Sequence, residues 1–321
     1  YVGLFVGSHN SDVLETGVFS NVRLTIPYHG VADQTTQMKL GSHLELLEVA
    51  SGKRDIIYSV PYSIQAPNWV PDGKHLVFND YRGIMYQFDL NTRKPVKINT
   101  GTITNNNNDH LISFDGKMLG LSSNVRSLGA SIIYTVPIGV GIPIQITPRG
   151  PSYLHGCSPY GKSLVFCGER NGEFDVYRVP SAGGEEVRLT DSKGLDDGPE
   201  YTPDGKYIYF NSVRSGSMQI WRMKPDGSDQ EQVTNDEFNN WFAHISPDGK
   251  WIVFISFLKE EVKPGIHPPY KHVYLRLMPF SGGSPKVIAY FYGGQGSINT
   301  PSWSPDSNRI AFVSNSDGIG K

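Results

Sequence analysis

Histidines at 110, 155 and 244 and a glutamate at 200 stand two or three residues ahead of a short phrase that the chain repeats. Histidine is scarce, at nine copies in 321 residues, so its recurrence at one place in a repeat invites a chemical reading. Neutral imidazoles bind divalent transition metals, and an oxygen donor completes a harder site. A divalent cation (Mn, Ca, Zn or similar) held by His110, His155, His244 and Gln295 could polarise a sugar carboxylate or carbonyl and stabilise the charge left by proton abstraction. Glu200 and His155 are then the candidate acid and base. Two other readings stay open: a metal-free polar pocket, and histidines that merely satisfy buried groups. The register favours neither outright, because His110 and His155 precede the phrase by three residues and His244 by two. Alternate residues of a strand face opposite ways, so only a bulge or a shifted turn would let all three meet.

Around these residues lie others suited to hold a ligand. Arg82, Arg126, Arg170 and Arg214 are spaced by 44 residues each. Guanidinium groups bind carboxylates or phosphates bidentately, so Arg170 or Arg214 would clamp an anionic substrate, with pairing to neighbouring acids as the structural alternative. Asn68 occupies the position corresponding to Glu200, and Asn299 follows the glycine-rich stretch Gly293-Gly294-Gln295-Gly296. Trp241 could stack on a sugar ring or fill the core. An insertion over 258–271 carries His267 and Tyr270. Long insertions on rigid scaffolds often carry function. The run Asp196-Asp197-Gly198-Pro199-Glu200 lacks a full calcium loop and is set aside.

What must position these side chains is the repeat itself. Its copies begin at Val70, Ser113, Ser158, Thr202, Ser246 and Ser304, which are 43, 45, 44, 44 and 58 residues apart, and most read Ser/Thr-Pro-Asp-Gly-Lys. Proline presets φ, aspartate accepts amide hydrogen bonds and glycine supplies positive φ, so each copy is a tight turn between two strands. A period in the mid-forties with short strands around it predicts an all-β, six-bladed propeller. The last copy is followed by one strand only, while 43–50 and 54–60 supply two strands with no partner. The N-terminal hairpin is therefore expected to complete the last blade and lock the ring, over residues 41–321. Residues 1–40 read as a β-hairpin extension (strands at 2–6 and 17–26) and a linker.

The bulk properties narrow the partners. With 29 basic and 31 acidic side chains and no basic stripe, nucleic acid is not expected. No apolar run approaches a membrane span. Cys157 and Cys167 flank one turn in a register that sets Cys157 opposite Leu164, so two free, buried thiols are expected. The chain begins at Tyr1, which reads as a mature or trimmed product, and a monomer is expected.

The Ser-Pro-Asp-Gly-Lys copies, together with Ser212-Val213-Arg214-Ser215-Gly216 and Ile220-Trp221-Arg222-Met223, resemble the repeats of TolB-like propeller proteins over roughly 43–316. That resemblance implies a bacterial, periplasmic or secreted protein, and a non-catalytic module that binds a protein, a peptide or a glycan at the channel mouth. The repeats are also distantly similar to oligogalacturonate lyase, whose family holds a metal through histidines and a glutamine but has seven blades. That second resemblance implies a carbohydrate-active propeller: a metal-assisted lyase or hydrolase acting on an acidic oligosaccharide or polysaccharide in the central channel.

Overall fold

A computed structural model describes residues 40–316, so the expected hairpin over 1–40 falls almost wholly outside the described residues. Six antiparallel sheets radiate from one axis. Five are four-stranded and follow chain order: blade 1 (64–97), blade 2 (106–145), blade 3 (152–188), blade 4 (196–232) and blade 5 (238–294). The sixth is built from both ends of the described chain, in the order Arg54–Val60, Gly41–Glu48, Arg309–Ser316. Its innermost strand is reduced to a single bridge, Trp303 to Ile310. The expected closure is thus what the chain does: Gly41–Glu48 pairs along its whole length with Arg309–Ser316.

The repeated turn behaves as its residues dictate. Gly73, Gly116, Gly161, Gly205 and Gly249 all sit at φ between 67° and 72°. Blade 6 places Ser307 at the corresponding φ of 61°. The turn aspartate caps the turn: Asp72 Oδ1 accepts from the Lys74 amide at 2.8 Å. In blade 5, Ser246 Oγ donates to Asp248 at 2.6 Å and accepts from the Trp251 amide at 2.9 Å.

Apolar side chains fill the wedges between sheets, the largest cluster joining Trp241, Phe257, Phe291 and Phe312 across blades 5 and 6. Buried polar groups stitch blade to blade. Ser122 Oγ accepts from the Leu154 amide, and Asn211 Oδ1 from the Phe242 amide. Cys157 lies opposite Leu164, and both thiols are free and buried, as expected.

The arginines predicted to face a ligand are instead spent inside blades. Arg170 pairs bidentately with Glu186 (2.9 and 2.8 Å) and packs over Phe166 and Tyr177. Arg214 pairs with Asp196 at 2.8 Å, beside Phe210 and Trp221. Arg82 holds Asp80 at 2.7 Å, and Arg126 is exposed. At Arg82, Arg170 and Arg214, though not at Arg126, the spacing marks a structural staple, a planar cation beside aromatic rings and a buried carboxylate.

Blade 6 carries its own version. Glu45 is 2% exposed, takes two bonds from Arg54 (2.9 and 2.8 Å) and one from Ser314 Oγ at 2.5 Å. Ser314 belongs to the C-terminal strand and Glu45 and Arg54 to the N-terminal hairpin, so this group ties the ring shut. Glu45→Ala is expected to lower stability by about 1–2 kcal/mol, read as a fall in unfolding midpoint, because it leaves the buried Ser314 hydroxyl and the partly exposed Arg54 guanidinium without their acceptor. Glu45→Gln should cost less, and equal stability of Glu45→Ala and the parent would remove the closing role.

Candidate functional site

The first strand of each blade lines the axis, and most of these strands are interrupted by a bulge. In blade 1 the register slips between Gln65 and Asn68, in blade 2 between Asn106 and His110, and in blade 3 between Leu154 and Gly156. It slips again between Asp197 and Glu200 and between Trp241 and His244. A bulge leaves residues unpaired and re-aims their side chains. Asp109, His155 and Phe242 lie within these bulges, and Asp197 lies at the edge of one. Ala66 and Phe242 adopt φ of 57° and 56°, the left-handed region that side chains other than glycine seldom enter. In blade 4 the position is Gly198, at φ 61°, where a Cβ would stand 2.5 Å from Asn211 Nδ2.

Above the bulges opens a cavity of about 690 Å³, within the usual range for ligand pockets. Its chemistry is concentrated in four side chains from four blades. His155 Nε2 lies 3.3 Å from Asp197 Oδ1 and 3.9 Å from Asp109 Oδ1. His267 Nε2 approaches the other Asp197 oxygen at 3.6 Å. Asp197 thus bridges two imidazoles, and the Gly198 amide fixes its Oδ1 at 2.7 Å. Asn299 Nδ2 donates to Asp109 Oδ1 at 3.0 Å. Phe242 stacks against His155, with ring centroids 5.8 Å apart, and meets His267 edge-on. Around them the wall is amide-rich, with Gln65, Asn79, Asn107, Asn124 and Gln295, and among the described residues it contains no lysine or arginine.

Burial and mutual charge separate the two carboxyls. Burial drives Asp109 up to about 6, with the Asp197 charge adding to it and His155 opposing. Burial would also raise Asp197, but the hydrogen bond and charge of His155 outweigh it and hold the group down at about 2. Burial alone would lower His155, yet its carboxylate neighbours raise it above the ordinary value. His267 is lowered, because burial exceeds the pull of Asp197. The cavity therefore holds one fixed carboxylate and one carboxyl that titrates near neutrality, on either side of an imidazole. Environments that push like groups apart in this way suit acid–base work.

The predicted metal set does not assemble. His155 and Gln295 line the upper cavity. His110 is fully buried against the backbone of Ala66 and Val77, and burial lowers its pKa to about 4, so it is a neutral core imidazole. His244 sits below the bulge, where Nδ1 meets Glu200 Oε2 at 2.5 Å and Nε2 donates to the Ile298 carbonyl. Both its nitrogens are engaged. Among the described residues no group of three or more His, Cys, Asp or Glu side chains is arranged to hold a metal ion. The four donors therefore do not fit one ion.

Other sequence candidates are also sorted by the bulge. Glu200 and Asn68 fall below it, away from His155. Asn68 bonds the Pro301 carbonyl and the Ile112 amide. Trp241 is fully buried, with its ring 4.4 Å from that of His267, so it positions the histidine from behind. Tyr270 is buried at the start of the next strand, outside the cavity lining. The 258–271 insertion does overhang the mouth, bringing Gly265 and His267 to the wall.

Comparison with known proteins agrees with the repeat. The TolB beta propeller domain family matches residues 155–266. Over 273 residues the chain is 42% identical to the uncharacterized protein Atu1656 of Agrobacterium fabrum, covering 85% of this chain and 92% of that one. The chain belongs to the TolB-like propeller family. A solved structure from Agrobacterium tumefaciens, provisionally assigned as TolB, superposes with a TM-score of 0.82 at 41% identity, over 86% of this chain and 99% of the other. Oligogalacturonate lyase in complex with manganese shares the fold at 13% identity, with a TM-score of 0.52 over 84% and 95% of the two chains.

Two central groups of this TolB-like propeller are not among the sequence candidates: Asp109 is not singled out, and Asp197 is weighed only within a calcium run that is set aside. Their signal was present: Asp109 ends the run Asn105-Asn106-Asn107-Asn108, and Asp197 precedes a glycine on an axial strand.

Asp109 also makes a stability test. Its folded pKa lies above the ordinary carboxylate value of 3.8, so its penalty is absent at low pH, grows as pH rises from about 4, and is complete above about 6. Asp109→Asn should therefore stabilise the protein by about 3 kcal/mol at pH 8 and hardly at all at pH 4. A stability difference that does not change with pH would overturn this assignment.

Proposed function

We propose that the upper cavity binds a carbohydrate without acidic groups and that His155, flanked by Asp109 and Asp197, moves a proton on it. The observation that carries this reading is the bridging of His155 and His267 by Asp197 inside an amide-rich cavity whose described lining has no lysine or arginine. Planar amides and carboxylates suit the paired hydroxyls of a sugar, and Phe242 offers an apolar face beside them. The anionic glycan expected from the sequence rested on Arg170 and Arg214, which are paired within their own blades. A cavity walled by Asp109 and Asp197 would repel a uronate.

In this mechanism Asp197 remains ionised and orients His155. Asp109, with its pKa raised to about 6 and 3.9 Å from His155 Nε2, exchanges the proton with His155 through a substrate hydroxyl set between them. Asn299 holds Asp109 in place, and His267 covers the site from the insertion. Kinship with TolB supports a periplasmic or secreted location. No helix among the described residues is long and apolar enough to cross a membrane. The same kinship supports the competing reading, a non-catalytic module that captures a peptide or protein.

The test is a panel of neutral and uronate oligosaccharides, read by calorimetry and by release of new reducing or unsaturated ends. Neutral sugars should bind, and Asp197→Asn or His155→Ala should abolish turnover and weaken binding about tenfold or more. Preferential binding of uronates would refute the assignment to sugars without acidic groups. Capture of a peptide with no affinity for any sugar would hand the cavity to the competing reading.

A further inference from the structure

The opposite mouth of the channel holds a second cavity of about 310 Å³. It is formed by the repeated turns rather than by the upper loops. Pro71, Pro203, Pro247 and Pro305 come from four of those turns, and Trp69 and Trp303 close the sides. The wall is apolar and stiff, because the prolines are fixed in φ and the indoles are packed: Arg309 lies over Trp69, and Trp303 Nε1 donates to the His244 carbonyl at 2.9 Å. Among the described side chains that line the socket, Glu200, itself 9% exposed, presents an acceptor without a protein partner, while the Trp69 Nε1–H also lacks a partner but is fully buried. Its Oε2 is taken by His244 Nδ1, and Oε1 has no hydrogen bond among the described residues.

The proton count at this pair decides what Oε1 can do. His244 Nε2 faces the Ile298 carbonyl, which only accepts, so Nε2 carries a hydrogen. The contact between Nδ1 and Oε2 then shares one proton. If it lies on nitrogen, Glu200 is a carboxylate and Oε1 accepts. If it lies on Oε2, Oε1 is a carbonyl oxygen and again accepts. In both cases the pair carries no net charge. The socket thus ends in a neutral, acceptor-only group at the bottom of an apolar shaft.

We propose that this lower socket is a second binding site, for a small apolar ring or chain that carries one hydrogen-bond donor and no negative charge. The apolar walls take the body of the ligand, and the donor meets Glu200 Oε1, which has no protein partner on a side chain only 12% exposed. A ligand lacking the donor leaves that oxygen buried and unpaired. An anion meets an acceptor, and no lysine or arginine is among the described residues that line the socket.

Three probes of similar size test this on the intact chain: 2-naphthol, 2-methoxynaphthalene and 2-naphthoate. The readout is the indole N–H resonances of ¹⁵N-labelled protein, since Trp69 and Trp303 line the socket while Trp241 lies outside its lining. 2-Naphthol should shift Trp69 and Trp303 saturably and leave Trp241 in place. The methyl ether should bind about tenfold more weakly and the carboxylate not measurably. Glu200→Gln, whose amide can donate to His244 and keep an acceptor on the shaft, should retain 2-naphthol, whereas Glu200→Leu should lose the preference for 2-naphthol over its ether. Equal binding of the ether and the alcohol to the parent protein would overturn the donor requirement. Absence of saturable shifts at Trp69 and Trp303 would overturn the site.

Discussion

Everything at the axis depends on the pairing of Gly41–Glu48 with Arg309–Ser316. A propeller left open would expose the long edge of its last blade and let the remaining sheets splay. The upper cavity draws on blades 2, 3, 4 and 5 at once, so distances such as the 3.3 Å between His155 and Asp197 hold only while the ring radius is fixed. The buried group of Glu45, Arg54 and Ser314 joins residues 269 positions apart in sequence and supplies that fixity. Few local interactions in the molecule have so distant a consequence.

The second constraint is the bulge in the axial strands. A regular strand would send neighbouring side chains alternately into the two wedges beside it. The register slip instead divides each strand into an upper and a lower segment. His155 points to one mouth and Cys157, two residues on, lines the other. Asp197 and Glu200 part in the same way. The left-handed φ of Phe242 and Ala66 is the local cost of this division, of the order of 1 kcal/mol each. Such strain persists only where the surrounding structure dictates it, and at Phe242 it delivers an aromatic face beside His155.

The architecture was legible because it is written locally. Proline, aspartate and glycine in a fixed order make a turn wherever they occur, and six turns at a near-constant period leave little choice of fold. The strand deficit after Ser304 and the surplus before Val60 likewise pointed to closure. The site was less legible because partners are not written locally. The spacing of Arg82, Arg126, Arg170 and Arg214 was visible, but not that Glu186 and Asp196 would consume Arg170 and Arg214. The histidines were visible too, but a slip of one or two residues decided which of them shared a chamber. His155 lines the upper chamber, His110 lies in the core, and His244 sits below. The insertion brings His267, but not Tyr270, to the upper wall. Asp109 carried no repeat signal, and Asp197 was weighed only as part of a calcium run.

The two mouths are assembled from separate stretches of chain. The lower one is made of the very turns that define the repeat, so altering it means altering the fold's own grammar. The upper one is made of loops that differ from blade to blade, among them the 258–271 insertion in blade 5. Relatives of this chain are therefore free to change what they grip above while inheriting the lower recess unaltered, and any specialisation within the family should accumulate on a single side of the disc.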